Sequence, residues 1–353
     1  MAGRNDSLAW CENRPRSGGF LRGPEQRPLR PELSNRHLHL CTGHHGNADR
    51  AVNHIWVINA VEPGTEGAMN TLANRYRIPL IPGLTDILDQ RSSGLSVAAF
   101  SGPAGTTDAI QTNDHECAVT LVQGTVLVEM ETERPILLGP RPEPFTHMTH
   151  ALLVSGHKSL RITAKEPTLV IIASAPSVRS FPTQVIRPSD VRVSQRGEQN
   201  WSRQVRLVCW SDNTQGEQLL IGETVTPSGN WSSVPPHRHQ ELIEGNEGPL
   251  EVPYEEAYYF LFSQPQGFAL SRHFDIDESV DQSITIRGGD LLHVKQGYHP
   301  VVCAPGASFY HLTMMAGPHR RSAASIHPDF QFLVGDREKD NPFRNQEQQI
   351  LRP

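Results

Sequence analysis

Long apolar runs are missing from this chain. No segment reaches the roughly 20 residues a helix needs to cross a bilayer, and the start lacks the apolar core of a secretory signal. A long basic run is missing too. With 32 Lys and Arg against 38 Asp and Glu, the net charge is −6 and the pI near 6.3. That balance gives no electrostatic case for nucleic acid or for an anionic membrane surface. Cysteine is scarce: Cys11, Cys41, Cys117, Cys209 and Cys303 are scattered, with no CxxC pair. Such spacing suits the reduced thiols of a cytoplasmic protein better than a disulfide framework. Long amphipathic windows of helical period are equally sparse.

What is present is turn chemistry between short β-branched runs. The 353 residues include 28 Pro and 28 Gly, enough length for two domains and enough breaks for many short strands. Residues 1–68 stand apart. They are rich in Arg, Pro, Gly and Asn without apolar periodicity, and read as a disordered extension. Its His37, His39, His44 and His45 lie on no pattern that would fix their rings, and Val52–Val61 is a strand candidate that attaches to nothing. From about residue 95 the texture becomes that of a β-protein, with strand-like runs such as Leu95–Phe100, Thr125–Met130 and Thr168–Ala173. Pro182–Asp190 reads as a connector, and a second strand series follows from Val205 to Met314. The expected class is all-β, two barrels in tandem over 69–187 and 188–330, then a tail over 331–353. A weak helix is expected at Thr71–Arg77, or a turn near Leu84–Gln90.

The chemistry concentrates between Pro235 and Pro318. Side chains alternate faces on a strand, so His237 and His239 in Pro235-Pro236-His237-Arg238-His239 project to one side. Gly289, Gly297 and His299 follow in the order of the second motif of a small metal-binding barrel, the cupin, with Lys295 at the position usually held by Pro. Three imidazoles and a carboxylate suit a divalent cation with open coordination positions. Two carboxylates compete for the fourth place. Glu244 has the generic spacing but sits in the loop-like stretch Glu241–Pro253. Glu256 opens an aromatic strand, Glu255-Glu256-Ala257-Tyr258-Tyr259-Phe260, whose backbone pairing would hold it rigidly; Glu256 is preferred. His147, His150 and His157 have no HxH spacing and no partnered Glu, so the first barrel is expected to be metal-free.

Several of these segments resemble the 5-deoxy-glucuronate isomerase family of myo-inositol catabolism, itself related to the 4-deoxy-uronate ketol-isomerases. They are Gly229-Asn230-Trp231-Ser232-Ser233 with the HxH that follows, the strand at 255–260, Pro265-Gln266-Gly267-Phe268-Ala269-Leu270, Gly297-Tyr298-His299-Pro300-Val301 and Met315-Ala316-Gly317-Pro318. The resemblance covers about two thirds of the chain. It implies a bicupin of two jelly-roll barrels with a divalent metal in the second, zinc first and manganese or iron as alternatives. The implied ligands are His237, His239, Glu256 and His299. It implies conversion of 5-deoxy-glucuronate to 2-deoxy-5-keto-gluconate, a small-molecule deoxy-uronate substrate, no nucleic acid or membrane partner, and leaves homo-oligomeric assembly open. Gln240, Ala257, Leu261, Lys295 and Gln296 depart from the family pattern around the ligands.

Residues flanking the ligands are candidates for acid–base work: Lys295, Tyr298 and Tyr258. For the substrate, Arg272 offers a guanidinium fork for a carboxylate and Gln266 a partner for hydroxyls. Each has a plainer reading: Lys295 a solvated turn lysine, Arg272 an ion pair with Asp275 or Asp277, Gln266 the turn at Gln264–Gly267. Two other functions remain open on the same ligand set, a metal-dependent bicupin dioxygenase and a non-catalytic sugar-binding bicupin.

Overall fold

The computed structural model describes residues 72–334 except 90–93, 132 and 247. The extension over 1–68, including its four histidines and the strand candidate at Val52–Val61, and the tail beyond 334 lie outside the described residues. No described helix is long and apolar enough to cross a membrane. The described helices are 3-10 turns, at Pro188–Asp190, Gln199–Trp201 and Pro328–Leu333. Among the described residues, neither the helix expected at Thr71–Arg77 nor the turn expected near Leu84–Gln90 forms. Ala73–Arg77 and Gly83–Leu88 are strands, because each finds a sheet edge to pair with.

A nine-stranded sheet collects the strands between Gly83 and Ile186. Its organiser is the sixteen-residue strand His115–Met130. The first part of that strand pairs with Ala151–Val154 and Thr168–Pro176, the second with Ile136–Arg141 and Ser159–Ala164. Between the two parts the register shifts, and Gly124 takes a φ of 93°. A Cβ there would meet the Pro167 carbonyl oxygen at 2.5 Å, so only glycine lets the strand change partners at that point.

The second series forms a seven-stranded sheet and a separate four-stranded sheet of Trp231–Ser232, Val301–Cys303, Phe268–Phe274 and Asp281–Arg287. Neither half closes into a barrel. The seven-stranded sheet ends at Ala73–Arg77 on one side and Arg192–Arg196 on the other. Strands split between packed sheets instead, and side chains fill the space between them. Ala73–Arg77 also departs from the sequence reading. It precedes the first strand series yet pairs antiparallel with Asp290–Val294 in the second.

Strand alternation sorts the cores. Cys117, Val119 and Leu121 enter the core of the first series with Phe100, Leu138 and Ile162. Ala118 and Val122, on the opposite face, meet Ile221, Ala257, Tyr259 and Leu312 of the second series. Tyr258 and Phe260 face the other way again, toward Ile286, Leu292 and Phe309. One apolar layer therefore joins the two series. A buried polar knot pins it: Arg141 Nη1 and Nη2 lie 2.7 and 3.0 Å from the carboxylate oxygens of Glu223, which also accepts from the Tyr310 hydroxyl at 2.9 Å. Arg206 donates to the carbonyls of Pro144 and Phe145 at 2.7 and 2.6 Å. Cys117, Cys209 and Cys303 are buried free thiols, and burial pushes the first two up to about 12.

Candidate metal centre

Three separate segments bring their polar side chains to one buried point. His239 follows the two-residue strand His237–Arg238, which is fixed by pairing with Ser325–Ile326. Glu256 is the second residue of Glu255–Phe262, flanked on both sides by strands, with Val294 and Met315 opposite it. His299 sits in the turn before Val301–Cys303. That turn depends on Gly297, at φ 81°, where a Cβ would lie 2.8 Å from the Phe274 carbonyl. Gln240 ties the first and third segments together by accepting from the Gly297 backbone N–H at 3.0 Å. Gln240 is thus a strut of the site in this chain.

The donor atoms of His239, Glu256 and His299 lie within 4.8 Å of one another, and all three residues are buried. His239 Nε2 is 2.6 Å from Glu256 Oε2, and His299 Nε2 is 3.3 Å from the same oxygen without a hydrogen-bond partner. The other ring nitrogens fix the tautomers. Nδ1 of His237, His239 and His299 face the carbonyls of Pro235, Tyr254 and Gly297 at 2.8, 3.1 and 3.0 Å. A carbonyl only accepts, so each Nδ1 carries a proton, while the Nε2 atoms of His239 and His299 turn toward the Glu256 carboxylate. This is the outer bonding that orients imidazoles for a cation, and the mixed nitrogen and oxygen set fits a divalent metal. His237 stands beside the compact group, its ring 5.0 Å from that of His299 and 6.3 Å from that of His239.

Electrostatics agree with the grouping. Burial alone would raise the Glu256 carboxyl, but the His239 ring and its bond, with the His299 ring close by, hold it well below the usual range. Burial opposes protonation of His239, and Glu256 more than offsets it, so that ring is raised. Burial, with His299 nearby, drives His237 well below its ordinary value.

The site opens into a cavity of roughly 680 Å³, counting the part open to solvent. His237, His239, Glu256 and Tyr258 line it together with His311, Arg196 and Arg203. Tyr258 interacts through its hydroxyl with Glu256 and Ser233, and burial, then Glu256, keeps that phenol well above its ordinary value. Burial holds His311 down at about 3, so it is a neutral imidazole whose Nδ1 has no partner.

The other residues singled out in the sequence lie elsewhere. Glu244 is exposed on the short strand Ile243–Gly245 and contributes nothing to the group. Lys295 is exposed one residue beyond the strand Asp290–Val294, its backbone N–H bonded to Leu72. Tyr298 is buried, but against His327 and Phe274, with ring centroids 4.6 and 5.4 Å apart. Arg272 is held by Asp281 and Glu278 at 2.8 to 3.0 Å and stacks over Phe274 at 4.1 Å. Its acids are not the Asp275 and Asp277 expected from sequence, because the strand pairing brings Asp281 across from Phe274 instead. Gln266 is exposed in the turn closed by the Gly267 N–H to Gln264. Lys295→Ala is therefore expected to leave turnover within about twofold, and Arg272→Ala to cost at most about 1 kcal/mol of stability. Steady-state kinetics and thermal melts check both; a hundredfold loss for Lys295→Ala would put the lysine back at the chemistry. Sequence reading missed Arg196, Arg203 and His311, which lie outside every HxH or Gly-x-His pattern.

An all-β chain carrying a buried His–Glu–His group in a solvent-connected cavity is cupin-like in architecture. Two solved structures of low identity share that fold: an oxalate decarboxylase of Lactobacillus farciminis (TM-score 0.52, 9% identity, covering 76% of this chain and 92% of that one) and a putative glyoxylate-induced protein of Pseudomonas aeruginosa (TM-score 0.51, 9%, 75% and 95%). A nearer likeness is an IolB-like protein of Salmonella typhimurium LT2, with TM-score 0.65 and 27% identity over 72% of this chain and 99% of that one. The KduI/IolB family model matches residues 84–333, and the chain belongs to the KduI/IolB family. Among curated relatives, proteins named 5-deoxy-glucuronate isomerase from Bacillus velezensis and Lacticaseibacillus casei are 34% and 30% identical. The matches cover 66% and 71% of this chain and 84% and 94% of those proteins.

Proposed function

We propose that this chain is a metal-dependent aldose–ketose isomerase converting 5-deoxy-glucuronate to 2-deoxy-5-keto-gluconate, with the metal in its second strand series. Family membership and the names of the curated relatives support the reaction. The observation that carries the metal is the convergence of the His239, Glu256 and His299 donor atoms within 4.8 Å of one another, with Nδ1 of both rings anchored on backbone carbonyls and His237 beside them. Zinc is the first choice, with manganese and iron as alternatives. When bound, the cation supplies Lewis acidity at the substrate's carbonyl and neighbouring hydroxyl oxygens.

The chain's own residues do the rest. The reaction breaks the C–H bond at the hydroxyl-bearing carbon and makes one at the aldehyde carbon. The hydroxyl oxygen becomes the ketone and the aldehyde becomes a primary alcohol, with no external oxidant or reductant. Tyr258, held protonated beside Glu256, donates a hydrogen bond to a substrate oxygen as charge develops there. His311, neutral in the same lining, accepts from a substrate hydroxyl.

Purified protein of known metal content, incubated with 5-deoxy-glucuronate and followed by NMR, should show the aldose signals replaced by those of the ketose. Unchanged substrate at full metal occupancy overturns the assignment. Consumption of oxygen in the same mixture would point to a dioxygenase instead.

A further inference from the structure

We propose that Arg203 and Arg196 together grip the carboxylate of the sugar acid and hold its other end at the metal centre. This deepens the isomerase reading and rests on it. The two arginines face each other across adjacent antiparallel strands, Arg192–Arg196 and Arg203–Cys209, as a direct Arg196–Arg203 pair. Like charges set opposite one another repel, and such a pair is retained at a cost.

Nothing acidic among the described residues repays that cost. Arg203 is 8% exposed and donates only to the carbonyls of Trp201 and Val234, both at 3.1 Å. Arg196 reaches Ser194 Oγ at 3.4 Å, and its Nη2 is buried with no hydrogen-bond partner. Burial lowers Arg203 to about 10; burial and then the Arg203 charge lower Arg196 to about 9. The carboxylates of the same lining are already committed. Glu256 is bound to His239, and Glu223 takes Arg141 and Tyr310. Arg141 shows how a buried guanidinium is normally satisfied here, and Arg272 how a surface one is. Arg196 and Arg203 alone line the metal cavity as cations without an anion. An incoming carboxylate supplies the missing charge in the planar, bidentate geometry a guanidinium fork favours. With one end of a sugar acid fixed there, uronates are selected over neutral sugars of the same shape.

The test uses the full metal-loaded chain and two probes of one skeleton, glucuronate and its neutral amide, with binding measured by calorimetry. Wild type should bind glucuronate more tightly by roughly ten- to a hundredfold, the range of a charge-assisted hydrogen-bonded pair. Arg203→Gln should abolish that preference and raise KM for 5-deoxy-glucuronate at least about tenfold, with a much smaller change in kcat. Arg203→Lys should recover part of it, and Arg196→Gln should give a smaller loss of the same kind. Melting temperature and metal content verify folding; if Arg203→Gln does not fold, Arg196→Gln and Arg203→Lys carry the test. Equal binding of the two probes by wild type, or a preference that persists in folded, metal-loaded variants, overturns the proposal and would place the carboxylate on the metal. The two readings fail separately. Preference for glucuronate without turnover of 5-deoxy-glucuronate sinks the isomerase and keeps the arginines, whereas turnover with unchanged KM in the variants does the reverse.

Discussion

Glu256→Gln is expected to leave the protein folded but nearly free of metal, with turnover reduced at least roughly a thousandfold, about 4 kcal/mol of transition-state stabilisation. The size follows from the site's construction. Glu256 is the acidic member of the three-residue group, and its Oε2 is the atom that both His239 and His299 approach. An amide keeps the volume but removes the negative charge that offsets a divalent cation. Its NH2 can also turn toward the imidazole lone pairs and occupy them. The backbone around Glu256 is held by strands on both sides, so the fold should survive the change. Metal content by atomic emission, kinetics and circular dichroism together read the outcome. A variant that keeps both stoichiometric metal and activity would remove Glu256 from the site, and with it the ligand set proposed here.

The second large effect concerns stability. Arg141→Met should destabilise the protein by about 3–5 kcal/mol, because it strands the Glu223 carboxylate in a fully buried position. For a chain of this size that corresponds to a fall in Tm of roughly 10 °C. The remaining neighbours do not suffice: Tyr310 donates one neutral hydrogen bond, and Arg206 Nη1 is 3.5 Å away with its other bonds on carbonyls. Pairing the change with Glu223→Leu should restore most of the loss, since a well-packed apolar pair of similar volume often matches a buried ion pair. A shift below 1 °C for the single variant, in thermal melts at matched metal occupancy, would mean that the layer between the two strand series holds without this knot.

Local pattern made some of this legible and left the rest hidden. The short β-branched runs between Gly and Pro clusters were enough for the all-β class. Alternation along Glu255–Phe262 was enough to prefer Glu256 to Glu244, because a strand between two neighbours fixes the direction of its side chains and a hairpin tip does not. The same rule misleads once a strand ends. Lys295 is close to His299 in sequence, yet one step past Val294 it turns to solvent. Arg272 looked available because its partners Glu278 and Asp281 are chosen by register, which the sequence does not display. Arg196 and Arg203 were invisible for a related reason. A single arginine on a β-run is ordinary, and only the Arg196–Arg203 pairing shows two cations set against each other. The helix expected over Thr71–Arg77 fails by the same logic, since an edge of another strand series claims the segment. The closed barrels expected from the family resemblance give way to packed open sheets, since among the described residues the terminal strands of the sheets do not pair.

That borrowed strand has a consequence for how the molecule is made. Ala73 pairs with Val294, and the Leu72 carbonyl beside it accepts from the backbone N–H groups of Lys295 and Gln296, just ahead of the turn that carries His299. During synthesis this early segment must wait, its edge unsatisfied, until nearly the last of the described strands has left the ribosome. Cation uptake would then be an end-of-synthesis event. Trimming the chain past Leu72 should weaken affinity for the ion even in a product that stays soluble, and equilibrium dialysis of such a shortened form against the full chain would reveal it.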